Sequence, residues 1–203
     1  MGWRRAAPPE AAARDAVEAA MAAMPRANHL PLGQQQYADL DRALPIGYGQ
    51  TNSQPTTVRA MLRALRVGPG MRVLDVGSGS GWTTVLLGRL VGETGHVIGV
   101  ERIVELVSDG GRAVRAAGLP WASVRRAGAN VLGLPEEAPF DRILVSAQAH
   151  EVPGQLVGQL AEDGLMVVPV NGYLLRVDAR GREENLGGYV FVPLVTDDDP
   201  PWD

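Results

Sequence analysis

The stretch VLDVGSGSGW, residues 73–82, constrains this chain more than any other. An apolar run carrying one carboxylate, Asp75, meets three glycines at alternate positions, Gly77, Gly79 and Gly81. The run TTVLLGRLV follows directly. A short apolar segment ending in a glycine cluster reads as a buried strand, and the longer run behind it as a helix. Strand, glycine turn and helix in that order predict an α/β unit that holds a cofactor at the carboxyl end of a strand.

The rest of the chain repeats the alternation. Strands are predicted at residues 72–76, 96–100, 122–126 and 142–146, with helices at 82–91, 103–117 and 153–160. Further strands are expected at 165–170, 173–178 and 189–194. This order predicts a doubly wound, Rossmann-like α/β fold. Its sheet is mainly parallel and covered on both faces, and its last strands are antiparallel. Ahead of it, residues 11–24 read as a helix stopped by Pro25, and Pro55 opens another over 57–65. Residues 25–54 carry many turn formers and no clear period, which marks a long binding loop. The expected organisation is an extension, 1–54, bearing a helix and the binding loop, on one Rossmann-like unit, 55–203. The ends, residues 1–9 and the acidic TDDDPPWD, are expected to be a loose terminus and an irregular surface segment.

Composition narrows the chemistry. With 203 residues, 45% hydrophobic but only 5% aromatic, the core of a single unit must be aliphatic. The net charge of −4 gives no basic face, so nucleic acid is not an expected partner. The absence of cysteine excludes disulfides, thiolate nucleophiles and Cys-ligated zinc. The three histidines, His29, His96 and His150, show no metal-ligand spacing, so no metal is expected. No secretory h-region and no run of the ~20 apolar residues a membrane span needs can be read, which points to the cytoplasm and away from membranes.

Two cofactor classes use such a glycine turn. A dinucleotide site wants a third glycine where this chain has Trp82. The observed spacing, an acidic residue followed by alternate glycines, is instead the pattern of S-adenosylmethionine sites, where backbone must approach the methionine portion. The second strand, HVIGVER, ends in Glu101, about 20 residues beyond the turn, the distance a strand–helix–strand unit spans. A carboxylate there is expected to accept hydrogen bonds from both hydroxyls of a ribose.

Longer segments carry a more specific signal. MAAMPRANHLP, YADLDRALPIGYGQTNSQP, LPEEAPFDRILVSAQAHEVPGQLVGQLAEDGLMVVPV and GYVFVPLVTDDDPPW, together with the glycine motif, resemble the protein-L-isoaspartate O-methyltransferase family over nearly the whole chain. The resemblance implies methyl transfer from S-adenosylmethionine to the free α-carboxylate of isoaspartyl residues in damaged proteins or peptides. The ester then collapses to a succinimide, and the outcome is repair. It implies that Ser53, within TNSQP, is the active-site serine and orients the substrate carboxylate. Read from the residues alone, Ser53 is first a cap for the helix starting at Pro55. It further implies that Gln50, Thr51 and Asn52 cover the cofactor and that Gly77, Ser78, Gly79 and Ser80 line its methionine side. Glu101 would take the ribose with Arg102 beside the adenine. Gln54, Val192 and Pro193 would meet the substrate, the terminal strand offering backbone by strand addition.

Four positions depart from the family pattern. Gly128-Ala129-Asn130 replaces a GDG, so the acidic residue expected at the adenine edge is Ala129. Loss of a charged acceptor, worth ~1.5–3 kcal/mol, would weaken cofactor affinity by one to two decades unless Asn130 substitutes. Asn52 stands where isoleucine is usual, Gln148 where a smaller residue is usual, and Asn171 where glycine is usual. If these reshape the site, a second reading follows: an O-methyltransferase acting on an Asp of a dedicated ribosomal peptide precursor. A third, carried only by Ala129, is a fold-mate that binds without turnover.

Overall fold

The computed structural model describes residues 8–194. The expected terminal tail therefore lies outside the described residues, as does most of the loose amino terminus. The chain opens with α1 (Glu10–Ala23), a 3-10 turn at Arg26–His29 and a short helix, α2 (Leu32–Gln35). A small hairpin, β1 (Leu44–Gly47) and β2 (Gln50–Asn52), leads into α3 (Pro55–Leu65). The alternating body follows: β3 (Arg72–Val76), α4 (Trp82–Val91), β4 (His96–Glu101), α5 (Val104–Ala116), β5 (Ala122–Arg126), β6 (Phe140–Val145) and α6 (Gly154–Val157). It closes with β7 (Leu160–Val170), β8 (Tyr173–Asp178) and β9 (Glu183–Gly188).

Seven strands form one sheet in the order β5-β4-β3-β6-β7-β8-β9. Pairings from β5 through to β7 are parallel, and β7–β8 and β8–β9 are antiparallel. The central strands are buried on both faces, which explains their largely apolar sequences. Val73, Val97, Leu144 and Val167 face one core with α1, α3 and α4 residues. Their neighbours Leu74, Ile98, Ile143 and Met166 face the other. In α3, Val58, Met61, Leu62 and Leu65 recur at helical spacing and are buried against the first of these. A third, smaller cluster joins Leu30, Leu44 and Ile46 to Ile103 and Leu106 at α5.

Three expectations need correction. Residues 25–54 are not irregular throughout: β1 and β2 pair, because Tyr48 and Gly49 take left-handed backbone (φ 55° and 67°) and turn the chain tightly. Residues 189–194 are not the last strand. That strand is β9, whose sequence EENLGG has little strand character. It is set in place by Asp178, whose carboxylate accepts from the backbone of Arg180 and Arg182 and so shapes the preceding turn. Finally, the helix expected over 153–160 shrinks to α6, and β7 starts five residues early, at Leu160, with an irregularity in its register against β6.

Candidate active site

The chain runs β3, β4, β5 to one side and then returns beside β3 as β6. The crevice at the carboxyl ends of these strands is where open α/β sheets bind ligands. A cavity of about 360 Å³ lies there. Its floor is Val76 of β3 and Gly77 just after it, Val100 and Glu101 from β4, and Ser146 and Ala147 after β6. Ile46, Gln50 and Thr51 of the hairpin border it, and Val192, Pro193 and Leu194 border it again from the other end of the chain.

The glycine turn is built for close approach. Gly77, Gly79 and Gly81 all have positive φ, of 74°, 51° and 80°. A Cβ on Gly81 would lie 3.0 Å from the Gly110 carbonyl oxygen, so α5 can press against the turn only because no side chain is there. Beneath the turn, Asp75 is fully buried. Its Oδ2 accepts from the Thr83 and Thr84 hydroxyls at 2.7 Å each, and Oδ1 from Ser146 at 3.3 Å. Desolvation pushes its pKa up to about 6 against the pull of those three donors.

Glu101 is held by backbone rather than left open. Oε1 accepts from the amides of Arg102 (2.7 Å) and Ile103 (3.0 Å), and Oε2 from Gly79 (2.9 Å). A carboxylate oxygen offers two lone pairs, so Oε1 is filled and Oε2 keeps one acceptor position. The expectation asks this carboxylate for two ribose hydroxyls; in the arrangement seen, Oε2 has one acceptor position open.

Trp82, the residue that argues against a dinucleotide, ties the turn to the N-terminal segment. Its indole is buried and donates to the Met24 carbonyl at 3.0 Å, and the Arg26 guanidinium lies over its ring at 5.6 Å. Arg26 is 5% exposed and was not singled out by the sequence. Its Nε donates to Asn52 Oδ1 (2.7 Å), Nη1 to the carbonyls of Ala38 and Leu40, and Nη2 to those of Arg42, Asn52 and Ser53. Burial lowers its pKa to about 10, opposed by the nearby Asp41 charge, so it stays cationic at neutral pH.

Ser53 follows directly on this network and is not its helix's cap. The capping position is Gln54, whose side chain makes no capping hydrogen bond to the helix. Asp41 does that work from outside: its carboxylate accepts from the Thr56 amide (2.9 Å), the Thr56 hydroxyl (2.7 Å) and Gln54 (3.0 Å). Among the described residues the Ser53 hydroxyl has no hydrogen-bond partner, while its carbonyl is fixed by Arg26.

Not every expected residue meets the cavity. Gln50, Thr51, Gly77, Gly79, Glu101 and Arg102 border it, as do Asn130, Val192 and Pro193. Asn52, Ser53, Gln54, Ser78 and Ser80 do not. Ser78 turns inward, where a Cβ on Gly99 would meet its side chain at 2.9 Å. Ala129 borders a neighbouring cavity of about 310 Å³ with Arg102 and Arg126. The terminal segment expected to offer its backbone to a peptide spends two of those groups internally: Gln148 N donates to Val192 O, and Leu194 N to Gln148 O, each at 2.8 Å. Missed by sequence reading were Ile46, Ser146, Ala147 and Gln155. The last also accepts from the Leu132 amide at 3.1 Å and orders the loop after Asn130.

Three departures have internal explanations. Asn52 joins Arg26 to Ser80. Gln148 turns its amide to the Gly172 N–H of the β7–β8 hairpin, away from the cavity (3.0 Å). Asn171 sits at φ 48°, which asparagine tolerates better than other non-glycine residues, and it donates to the His150 carbonyl.

Strand order, glycine turn and the carboxylate at the end of β4 define a Rossmann-like methyltransferase. The chain belongs to the protein-L-isoaspartate(D-aspartate) O-methyltransferase family, whose profile matches residues 9–199. It is 40% identical over 183 residues to the protein-L-isoaspartate O-methyltransferase of Methanococcoides burtonii, covering 87% of this chain and 90% of that one. Its identity to the Anaeromyxobacter dehalogenans enzyme of the same name is 45% over 186 residues, 87% of each chain. A Plasmodium falciparum chain, described as a protein-L-isoaspartate O-methyltransferase and crystallised with S-adenosyl-L-homocysteine, superposes with a TM-score of 0.78 at 27% identity. The match covers 90% of this chain and 91% of that one.

Proposed function

We propose that this protein transfers a methyl group from S-adenosylmethionine to the free α-carboxylate of L-isoaspartyl residues in damaged proteins and peptides. The observation that carries the reading is the meeting of family membership with the site's geometry: a turn of left-handed glycines and a strand-end carboxylate floor the cavity, and the loop bearing Ser53 is pinned beside it. The residues fit the donor. Gly77 and Gly79 border the cavity with no side chain to hold a ligand off their backbone, and Glu101 keeps an acceptor position for a nucleoside hydroxyl.

When bound, S-adenosylmethionine supplies a methyl group on positively charged sulfur. The chain's own part is placement. Gln50 and Thr51 cover the cavity and keep water from it. Ser53, relieved of capping by Asp41, offers its hydroxyl to an oxygen of the substrate carboxylate. That carboxylate has a pKa near 3.5–4 and is already ionised at neutral pH, so no strong base is required. Holding it in line with the methyl group is the main catalytic contribution. Asn130 and Arg102 stand at the adenine end, and Gln54, Val192 and Pro193 meet the peptide. The protein works in the cytoplasm. Among the described residues, no helix is long and apolar enough to cross a membrane.

The dedicated-peptide reading loses support, because Asn52, Gln148 and Asn171 serve the fold. The test uses labelled donor and two peptides that differ only in aspartate or isoaspartate. Transfer to the isoaspartyl peptide alone is expected. Equal labelling of both, or of neither, would overturn the proposal. Ser53→Ala should lower turnover by about 10²-fold, as for a misplaced reactant, and leave affinity for S-adenosylhomocysteine within about threefold.

A further inference from the structure

Two side chains of the N-terminal segment grip the glycine turn, and both do so at Ser80. His29 Nδ1 lies 3.1 Å from the Ser80 carbonyl oxygen, and burial lowers the pKa of His29 so that the neutral ring can donate there. Asn52 Nδ2 donates to Ser80 Oγ at 3.0 Å. Asn52 is 5% exposed, and its other amide atom, Oδ1, accepts from Arg26 Nε. Arg26 holds the Ser53 carbonyl at 3.0 Å. An unbroken run of hydrogen bonds therefore connects Ser80 in the turn, through Asn52 and Arg26, to Ser53. An aliphatic residue at position 52 would break that run at its middle.

From this geometry we infer that Asn52 is a positioning residue that couples the two halves of the active site, so that the turn gripping the methyl donor and the loop presenting Ser53 become ordered together. The inference rests on the proposed methyl transfer for its functional meaning, but the coupling itself is a property of the apo chain and of ligand binding. Gln50 and Thr51, the two residues before Asn52, border the cavity, and so does Gly79, beside Ser80. A ligand in the cavity touches both pieces. Where the bridge already holds them in register, binding does not have to order them. Where it is cut, affinity falls by the fraction of molecules in which the loop is out of place.

Ser80→Ala is the first variant, because it removes one hydroxyl and leaves Asn52 on Arg26. Asn52→Ile and the double variant complete a cycle, read by calorimetry of S-adenosylhomocysteine binding. Each single change is expected to weaken binding about three- to tenfold, the range of one net hydrogen bond. The double variant should bind no more weakly than Asn52→Ile alone. Turnover of the isoaspartyl peptide should fall in parallel. Amide exchange across β1 and β2 in unliganded Ser80→Ala should accelerate about tenfold, and this readout stands even if Asn52→Ile does not fold. Multiplying effects in the double variant, or unchanged affinity and exchange in Ser80→Ala, would overturn the coupling. Wild-type protein that binds S-adenosylhomocysteine but methylates neither peptide would instead overturn the proposed reaction, with the cycle still deciding the coupling.

Discussion

The central sheet and the N-terminal segment are held by opposite means. Strands β3, β4 and β6 sit between two aliphatic cores, and the fully buried carboxylate among them, Asp75, is satisfied by neighbours a few residues away or one strand over. Residues 25–54 bury little apolar area of their own beyond one small cluster. They are organised around a single guanidinium that gathers five carbonyls from two stretches of chain, 38–42 and 52–53. Apolar packing is distributed, so losing one contact is partly absorbed by the rest. A polar hub is concentrated, and removing it leaves several buried acceptors without donors at once. The region carrying the candidate catalytic serine is thus the more fragile to a single substitution.

The sharpest test of that contrast is Arg26→Met. It should cost at least about 3 kcal/mol in the N-terminal segment, since each orphaned buried acceptor costs ~1–3 kcal/mol. Proteolysis should then open residues 26–54 first, with the sheet still folded. Simultaneous loss of both would show that the segment has no independent stability. In the core, Gly99→Ala places a methyl group 2.7 Å from Thr84 Oγ1 and 2.9 Å from Ser78 Cβ, and overpacking should cost about 1–3 kcal/mol in denaturant melts.

Acid should separate the regions by sign. His29 has a depressed pKa, so the unfolded chain takes a proton first and the stability it contributes is lost as pH falls below its ordinary 6.5. Asp75 has a raised pKa, so the native state holds a proton more readily between 3.8 and about 6. Its contribution therefore improves as pH falls through that window. Hydrogen exchange at pH 7 and pH 5 should show the N-terminal segment loosening relative to β3, and His29→Gln should abolish the difference in that segment. The smallest effect is expected at the surface. Glu18 bonds Arg59 and Arg63 at 2.8 Å each, but all three side chains are 31–48% exposed, and Glu18→Ala should change stability by under about 1 kcal/mol in thermal melts.

The same contrast explains what could be read in advance. β3, α4, β5 and β8 have the bounds the sequence predicts, because short strand runs set off by turn formers and a longer apolar helical run announce themselves by period and run length. Strands of four and three residues have no period to detect, so β1 and β2 were invisible, and their turn uses Tyr48-Gly49 without an Asn-Gly signal. β9 is legible only through Asp178, outside the strand itself. At the site, motif residues reached through backbone, such as Gly77 and Gly79, were readable. Arg26 was not, since an arginine after a proline carries no local sign that six acceptors from distant residues will converge on it. Ser80 and Asn52 were readable as positions but not as partners of each other.

The cavity also has a history written in its lining. Its earliest residue is Ile46 and its latest Leu194, and β3 at its floor needs β6, some seventy residues later, on its second edge. During synthesis the glycine turn therefore leaves the ribosome long before anything can close over it. Nascent chains that stop short of the Gln148–Leu194 contact have a floor and one wall but not the other. Binding of S-adenosylhomocysteine should consequently appear late and abruptly along the growing chain, which makes ligand capture a reporter that synthesis and folding have passed Leu194.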